Sequence, residues 1–251
     1  MIYTQKRSVI RSFIFGAVVL LGLFTIANLS LRASASGSFI TTWKTDNEGT
    51  SQPNQITIPV NKFTAYDYFV DWGDGTTDSS VNGEITHTYA SAGTYTVKIS
   101  GDFPRMQFSN GGDRKKILSV EQWGDVVWKS GEAAFWGASN LVINATDAPN
   151  LSQATNLSYM FRDAKSITGG LQNWDVSNIE VFAYMFSGAT KFNEDLSSWN
   201  MSRAFNTEHM FSGAILFNHN LSSWDMSRVG IAKGMFYGAA SFNQSLNNWN
   251  L

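Results

Sequence analysis

Asp71, Asp74 and Asp78 place three carboxylates within eight residues, the kind of oxygen-rich cluster that holds a hard cation such as calcium. The spacing departs from an EF-hand loop, and Asp and Gly at these positions also serve to turn a hairpin. Turn chemistry is therefore our reading, with calcium on Asp71, Asp74 and Asp78 as the alternative. The three histidines, His87, His209 and His219, form no i, i+4 zinc pair, and His87 reads as a packed or hydrogen-bonded strand residue. No carboxylate pair is singled out for glycoside hydrolysis, and no phosphate loop or nucleophile elbow occurs. Cysteine is absent, which removes disulfides, thiolate metal sites, cysteine nucleophiles and lipid attachment at a cysteine. The chemistry-bearing residues thus point to no catalytic set and no cofactor, and the expectation is a non-enzymatic protein.

The elements that would carry any site are written in the C-terminal half as a repeat. Met160-Phe161, Met185-Phe186, Met210-Phe211 and Met235-Phe236 step by 25 residues, as do Trp174, Trp199, Trp224 and Trp249. Ser152, Ser177, Ser202 and Ser227 share another phase, and so do Ala164, Ala189, Ala214 and Ala239. A unit this short buries its apolar face only against its neighbours, so the register predicts a solenoid. Within each unit Trp174 and Val176 alternate as on a short strand. Ser177 then stands as a helix N-cap, with Glu180 in capping-box spacing. Ile179, Phe182, Met185 and Phe186 follow at helical spacing, and Gly188, Gly213 or Gly238 arrives where a left-handed C-cap is wanted, with Asp163 in the first copy. Strand, short helix and return loop make an α/β leucine-rich-type unit. The Asn193, Asn218, Asn243 column reads as buried asparagines serving loop backbones, the alternative being ligand contact. Asn-x-Ser/Thr triplets such as Asn200-Met201-Ser202 read as by-products of the repeat rather than as glycosylation sites.

Lys6, Arg7 and Arg11 precede an apolar run from Phe13 to Leu29, and Ala33-Ser34-Ala35 offers a signal-peptidase pattern. Residues 1–35 therefore read as a secretory signal, the alternative being an uncleaved membrane anchor. Either way the expectation is export, with membrane contact only through this segment. Beyond it 14 basic residues face 20 acidic ones, a charge near −6, which argues against nucleic acid and anionic membrane surfaces as partners. The chain stops at Asn250-Leu251 without a polar capping unit, so the last repeat is expected to fray, to be covered by another chain, or to belong to a longer parent.

Residues 38–101 differ in texture, being rich in Thr, Val, Tyr and Gly, with strand-like stretches Gln55 to Val60, Tyr66 to Trp72 and Thr94 to Ser100. This is a mainly β sandwich pattern, with Asp74-Gly75 as a tight turn. Asp71-Trp72-Gly73-Asp74-Gly75-Thr76, then His87-Thr88-Tyr89 and Gly93-Thr94-Tyr95-Thr96-Val97, resemble the signature of PKD-type domains, immunoglobulin-like sandwiches of bacterial surface proteins and secreted polysaccharide-degrading enzymes. Residues 135–251, with Met-Phe-x-Gly-Ala followed by Phe-Asn-x-x-Leu-x-x-Trp, resemble the BspA-like leucine-rich-repeat surface proteins. Residues 102–134 are similar to the lead-in before the first full repeat.

The resemblance implies bacterial surface display, adhesion and protein binding, and brings no catalytic residues. A scaffold of this kind takes a protein or host-matrix ligand on positions that vary between copies: Glu194, His219 and Gln244 in one column, Lys165, Thr190, Ile215 and Ala240 in another. The alternative is a carbohydrate-recognition or accessory module of a polysaccharide-degrading system, with exposed tryptophans stacking on sugar rings. Burial of the tryptophan column separates the two, and the expectation is that Trp174, Trp199 and Trp224 are core.

Overall fold

Alternation of apolar and polar residues along Phe39–Lys44 puts Phe39, Thr41 and Trp43 on one buried face of the central strand β1. The hydroxyl of Thr41 is satisfied inside that core, accepting from Trp43 Nε1 at 2.8 Å. A computed structural model describes residues 37–250. The expected signal segment, residues 1–35, lies outside the described residues.

Seven further strands follow: β2 (Gln55–Ile58), β3 (Asp67–Asp71), β4 (Thr77–Val81), β5 (Ile85–Thr88), β6 (Thr94–Asp102), β7 (Ile117–Gln122) and β8 (Val142–Ile143). They form a six-stranded sheet in the order β4-β3-β6-β1-β7-β8 and a two-stranded sheet of β2 and β5. All pairs are antiparallel except β7 with β8, where Ser119 lies opposite Val142. The large sheet thus takes its last two strands from beyond Gly101, and one continuous apolar core runs from Phe39 to Met235. Trp123 joins its two parts, packing on Phe39 at 5.6 Å and on Trp174 at 5.1 Å between ring centroids.

A buried polar knot ties the loop after β1 to the segment before β7. Asp113, 1% exposed, accepts from the backbone N–H groups of Thr50, Ser51 and Thr57 and from Ser51 Oγ. Lys116, equally buried, donates to Ser51 O and Oγ, Gln52 O and Gln55 O. Burial pushes its ammonium below the ordinary lysine range, and Asp113, 3.9 Å away, works against that push.

The repeats depart from the expected α/β leucine-rich-type solenoid. The described residues contain no helix, and the short strand expected at Trp174–Val176 is absent. Each 25-residue unit is instead a chain of tight turns with one parallel bridge position, Asn156 to Val181 to Asn206 to Ile231. Alternate residues divide the hydrogen bonding. Phe182, Tyr184, Phe186 and Gly188 donate backbone N–H to Asn206, Glu208, Met210 and Ser212 of the next rung, whereas Met185, Ser187 and Ala189 donate back three residues. Left-handed φ values at Tyr184 (58°) and Gly188 (72°) enforce that alternation and exclude a helix. A succession of three-residue turns buries Ile179, Phe182, Met185, Ala189 and Phe192, a spacing that sequence alone cannot tell from one face of a helix.

The capping serine is corrected as well. Ser177, Ser202 and Ser227 donate their N–H to Asp175, Asn200 and Asp225, which close Asx turns. Gly188, Gly213 and Gly238 are left-handed as expected, and so is Asp163 (φ 58°), but they turn a rung rather than end a helix. The segment expected to be lead-in supplies a rung of its own. Ala133, Phe135 and Gly137 donate to Ser158, Met160 and Arg162 in the pattern that Tyr159, Phe161 and Asp163 repeat toward Ala183, Met185 and Ser187.

Candidate binding surface

The stacked rungs expose columns of side chains, and the structure sorts the expected site residues among them. Trp174, Trp199 and Trp224 are 4%, 3% and 2% exposed, with Trp199 and Trp224 stacked at 6.5 Å. Their indoles belong to the core, and Trp199 and Trp224 donate to Leu171 O and Leu196 O of the preceding rung. These three rings are not accessible for stacking on a sugar.

The Glu194, His219, Gln244 column is engaged between rungs. Glu194 accepts from Gly170 N–H at 2.9 Å and Leu171 N–H at 2.7 Å. His219 Nε2 lies 3.2 Å from Asn193 O, and Gln244 donates to Asn218 Oδ1 at 2.9 Å. Three different side chains solve one problem, the satisfaction of the neighbouring loop backbone. The asparagine column beside it also serves the backbone, Asn218 and Asn243 each donating N–H to the Oδ1 of the asparagine one rung earlier. It does so at the surface, where Asn193 and Asn243 are exposed, and not in the interior as expected. In the other variable column Lys165, Ile215 and Ala240 are exposed and Thr190 half-buried, with no side-chain hydrogen bond made by Lys165 or Thr190 among the described residues.

The three aspartates of the hairpin do not converge. Asp71 meets Lys98 Nζ at 3.1 Å, Asp78 accepts from Trp72 Nε1 at 2.7 Å, and Asp74 accepts from Thr76 and lies 2.9 Å from His87 Nε2. Among the described residues no group of three metal-binding side chains forms. Burial pushes the Asp74 carboxyl up, but hydrogen bonds from the Thr76 hydroxyl, His87 and the Thr76 N–H outweigh it and hold the group at about 2. His87 is packed, stacked on Trp72 at 4.6 Å with Tyr89 edge-on at 4.5 Å.

One surface feature went unread in the sequence, an aromatic ladder along the side of the stack. Tyr159, Tyr184 and His209 precede the Met-Phe pair in three copies and stack ring on ring, at 5.0 Å and 4.9 Å. All three have left-handed φ values of 50° to 60°, where a bulky side chain costs about 1 kcal/mol or more relative to glycine. Gly234 holds the same phase in the fourth copy. Where this phase is small, at Ala133 and Gly234, a ring from another phase completes the ladder: Trp136 stacks on Tyr159 at 5.2 Å, and Tyr237 meets His209 edge-on at 6.5 Å. A Cβ on Gly234 would lie 2.4 Å from His209 Cε1, so glycine there leaves room for the imidazole. The Arg162 guanidinium lies over Trp136, Tyr159 and Tyr184 at 4.8 to 5.5 Å. The tyrosines and His209 are half-buried and Tyr237 is 75% exposed. The readable signal was Tyr-Met-Phe, Tyr-Met-Phe, His-Met-Phe, Gly-Met-Phe.

No curated protein and no solved structure matches the chain. Residues 129–249, a stretch that begins at the rung of Gly131–Gly137 and runs through the fourth tryptophan, match the family described as Mycoplasma protein of unknown function, DUF285, whose repeats are of the BspA type.

Proposed function

We propose that this chain is a non-enzymatic binding protein of the bacterial surface, whose rungs hold the ladder Trp136-Tyr159-Tyr184-His209-Tyr237 as the contact face for a protein ligand. The observation that supports this reading is the conformational cost at Tyr159, Tyr184 and His209. Glycine would relieve it, and the fourth copy shows that the rung accepts glycine at that phase. Tyrosine and arginine also give large, rigid contact area at low entropic cost, which is why they dominate protein-binding hot spots. The columns of Lys165, Thr190 and Ile215 are free to tune the choice of partner. Export through residues 1–35 and a PKD-like spacer at 38–101 complete the proposal, the latter on the Asp71–Thr76 and His87–Tyr89 phrases.

The test is binding of the mature chain to a panel of extracellular-matrix proteins and bacterial envelope fractions, comparing wild type with the Tyr159→Gly/Tyr184→Gly double variant. The reading expects a ligand on the panel, loss of binding in the double variant, and a melting temperature that changes little because relieved backbone strain offsets lost stacking. Binding that survives in a folded double variant would refute the ladder as the contact face. Turnover of a polysaccharide by the purified chain, abolished by replacing one carboxylate, would refute the non-enzymatic reading.

A further inference from the structure

Asparagine is followed by glycine at two places in the chain, Asn82-Gly83 and Asn110-Gly111, and the pair carries a chemistry of its own. The amide nitrogen of the second residue can close on the side-chain carbonyl carbon of the first. Glycine hinders that closure least, because it has no Cβ and lets the backbone swing freely. The nitrogen must first give up its proton to hydroxide, so a hydrogen bond that holds the N–H in an ordered turn slows the step.

The fold treats the two pairs differently. Both asparagines are exposed, so access to solvent does not separate them. Gly111 donates its N–H to Phe108 O at 2.8 Å, and the residues before it are pinned to the rung of Gly131–Gly137, with Phe108 and Ser109 donating to Ala134 O and Ala133 O. The Asn110 side chain lies against that rung too, since a Cβ on Gly137 would come within 2.3 Å of Asn110 Oδ1. Gly83, in contrast, donates its N–H to no group among the described residues, and the Asn82 side chain makes no hydrogen bond there. A Cβ built on Gly83 meets nothing within 4 Å, so the turn has open space beside the reacting nitrogen.

The Asn82 turn also stands where a covalent change has a consequence. Residues 82–84 join β4, at the edge of the six-stranded sheet, to β5 of the two-stranded sheet. The crossing is clasped from inside by Tyr68, a residue 1% exposed, whose hydroxyl donates to Gly83 O at 2.7 Å.

We propose that Asn82-Gly83 is a self-modification site, converted without an enzyme to isoaspartate and aspartate, and that the fold holds Asn110-Gly111 unreactive. Hydroxide takes the Gly83 amide proton, the nitrogen bonds to Asn82 Cγ, and the Cγ–Nδ2 bond breaks with release of ammonia. A cyclic imide remains, and water opens it. Attack of water at Cγ gives aspartate, whereas attack at the backbone carbonyl carbon gives isoaspartate, in which the chain runs through Cβ and Cγ and is longer. Either product sets a carboxylate, ionised at neutral pH, beside the exposed Glu84. The longer link of isoaspartate also shifts Gly83 O away from the Tyr68 hydroxyl.

The test incubates the full folded chain in mildly alkaline buffer and follows residues 82 and 110 by peptide mapping, with fragmentation that distinguishes isoaspartate from aspartate. Asn82 is expected to convert, and Asn110 to convert about tenfold more slowly or less, the protection given by its ordered turn. In urea the two rates should converge. Gly83→Ala, whose new methyl group meets no neighbour, should keep the melting temperature and nearly abolish conversion at residue 82. An Asn82 that persists in the folded chain, or an Asn110 that converts as fast, would overturn the proposal. So would rates that stay unequal in urea, since the fold would then not be what spares Asn110. Conversion of Gly83→Ala at the wild-type rate would overturn it as well, because the imide would not be the route.

Discussion

Truncating the tryptophan column one rung at a time separates interior packing from end packing. Trp199 is 3% exposed, stacks on Trp224 at 6.5 Å, lies 6.0 and 6.2 Å from Phe182 and Phe186, and donates its indole N–H to Leu171 O at 3.0 Å. A tryptophan buries about 200 Å², which at about 25 cal/mol per Å² gives an upper figure of about 5 kcal/mol. Trp199→Ala also leaves a cavity between two rigid rungs and takes one of two donors from the Leu171 carbonyl, which keeps the Trp174 N–H, so a loss of about 3 to 5 kcal/mol follows. Trp249 keeps the bond to Leu221 O and the stack on Trp224, but it is only partly buried, and among the described residues no further rung stacks on it. Water can fill the space that Trp249→Ala creates, and the loss should be about half as large. Urea titrations followed by near-UV circular dichroism measure both. Equal losses at the two sites would refute the reasoning, since they would require Trp249 to be enclosed as fully as Trp199.

Asp113→Ala removes the acceptor of three backbone N–H groups and leaves the Lys116 ammonium buried without its counter-charge, so thermal melts should show a loss of about 3 to 5 kcal/mol. Gly188→Ala should cost more than Gly213→Ala: both are left-handed, but the new Cβ meets Asp163 Oδ1 at 2.4 Å in the first case and only ordinary contacts from 3.6 Å in the second, where about 1 kcal/mol of backbone strain remains. Asp74 is held at about 2, below its unfolded value of about 3.9, so its contribution is fully present above about pH 4 and disappears as pH falls toward about 2. Acid titration of Thr76→Val should show a shallower loss in that window than wild type, and an identical profile would contradict the assignment.

Much of the architecture was legible because packing dictates residue type at a fixed phase. The Met-Phe and tryptophan columns announced the stacking unit, and β2, β3 and β6 fall on the three stretches read as strand-like. The helix was not excluded by the sequence, since Ile179, Phe182, Met185 and Phe186 suit a run of three-residue turns as well as a helical face. What decides between them is backbone handedness at Tyr184, and tyrosine gives no warning of a positive φ. The rung at Gly131–Gly137 was hidden by register: Ala134-Phe135 precedes Met160-Phe161 by 26 residues, not 25, and alanine replaces methionine. The Trp174 indole is buried with no acceptor among the described residues, where Trp199 and Trp224 have one. Among the site residues, the variation between copies at Glu194, His219 and Gln244 has a structural use the sequence did not reveal, because a hydrogen bond to a loop backbone can be made by an acid, an imidazole or an amide. The ladder was visible as Tyr-Met-Phe and His-Met-Phe, but its meaning depends on the left-handed turn that aims the rings outward.

The claim on which all of this rests is that alternate backbone N–H groups of each rung bond to the next rung and not along their own chain. Scalar couplings across hydrogen bonds, measured by nuclear magnetic resonance on labelled protein, report it directly. The account predicts correlations from the amide nitrogens of Tyr184, Phe186 and Gly188 to the carbonyl carbons of Glu208, Met210 and Ser212. Correlations from Phe186 to Phe182 and from Gly188 to Tyr184, the pattern of a helix, would contradict it.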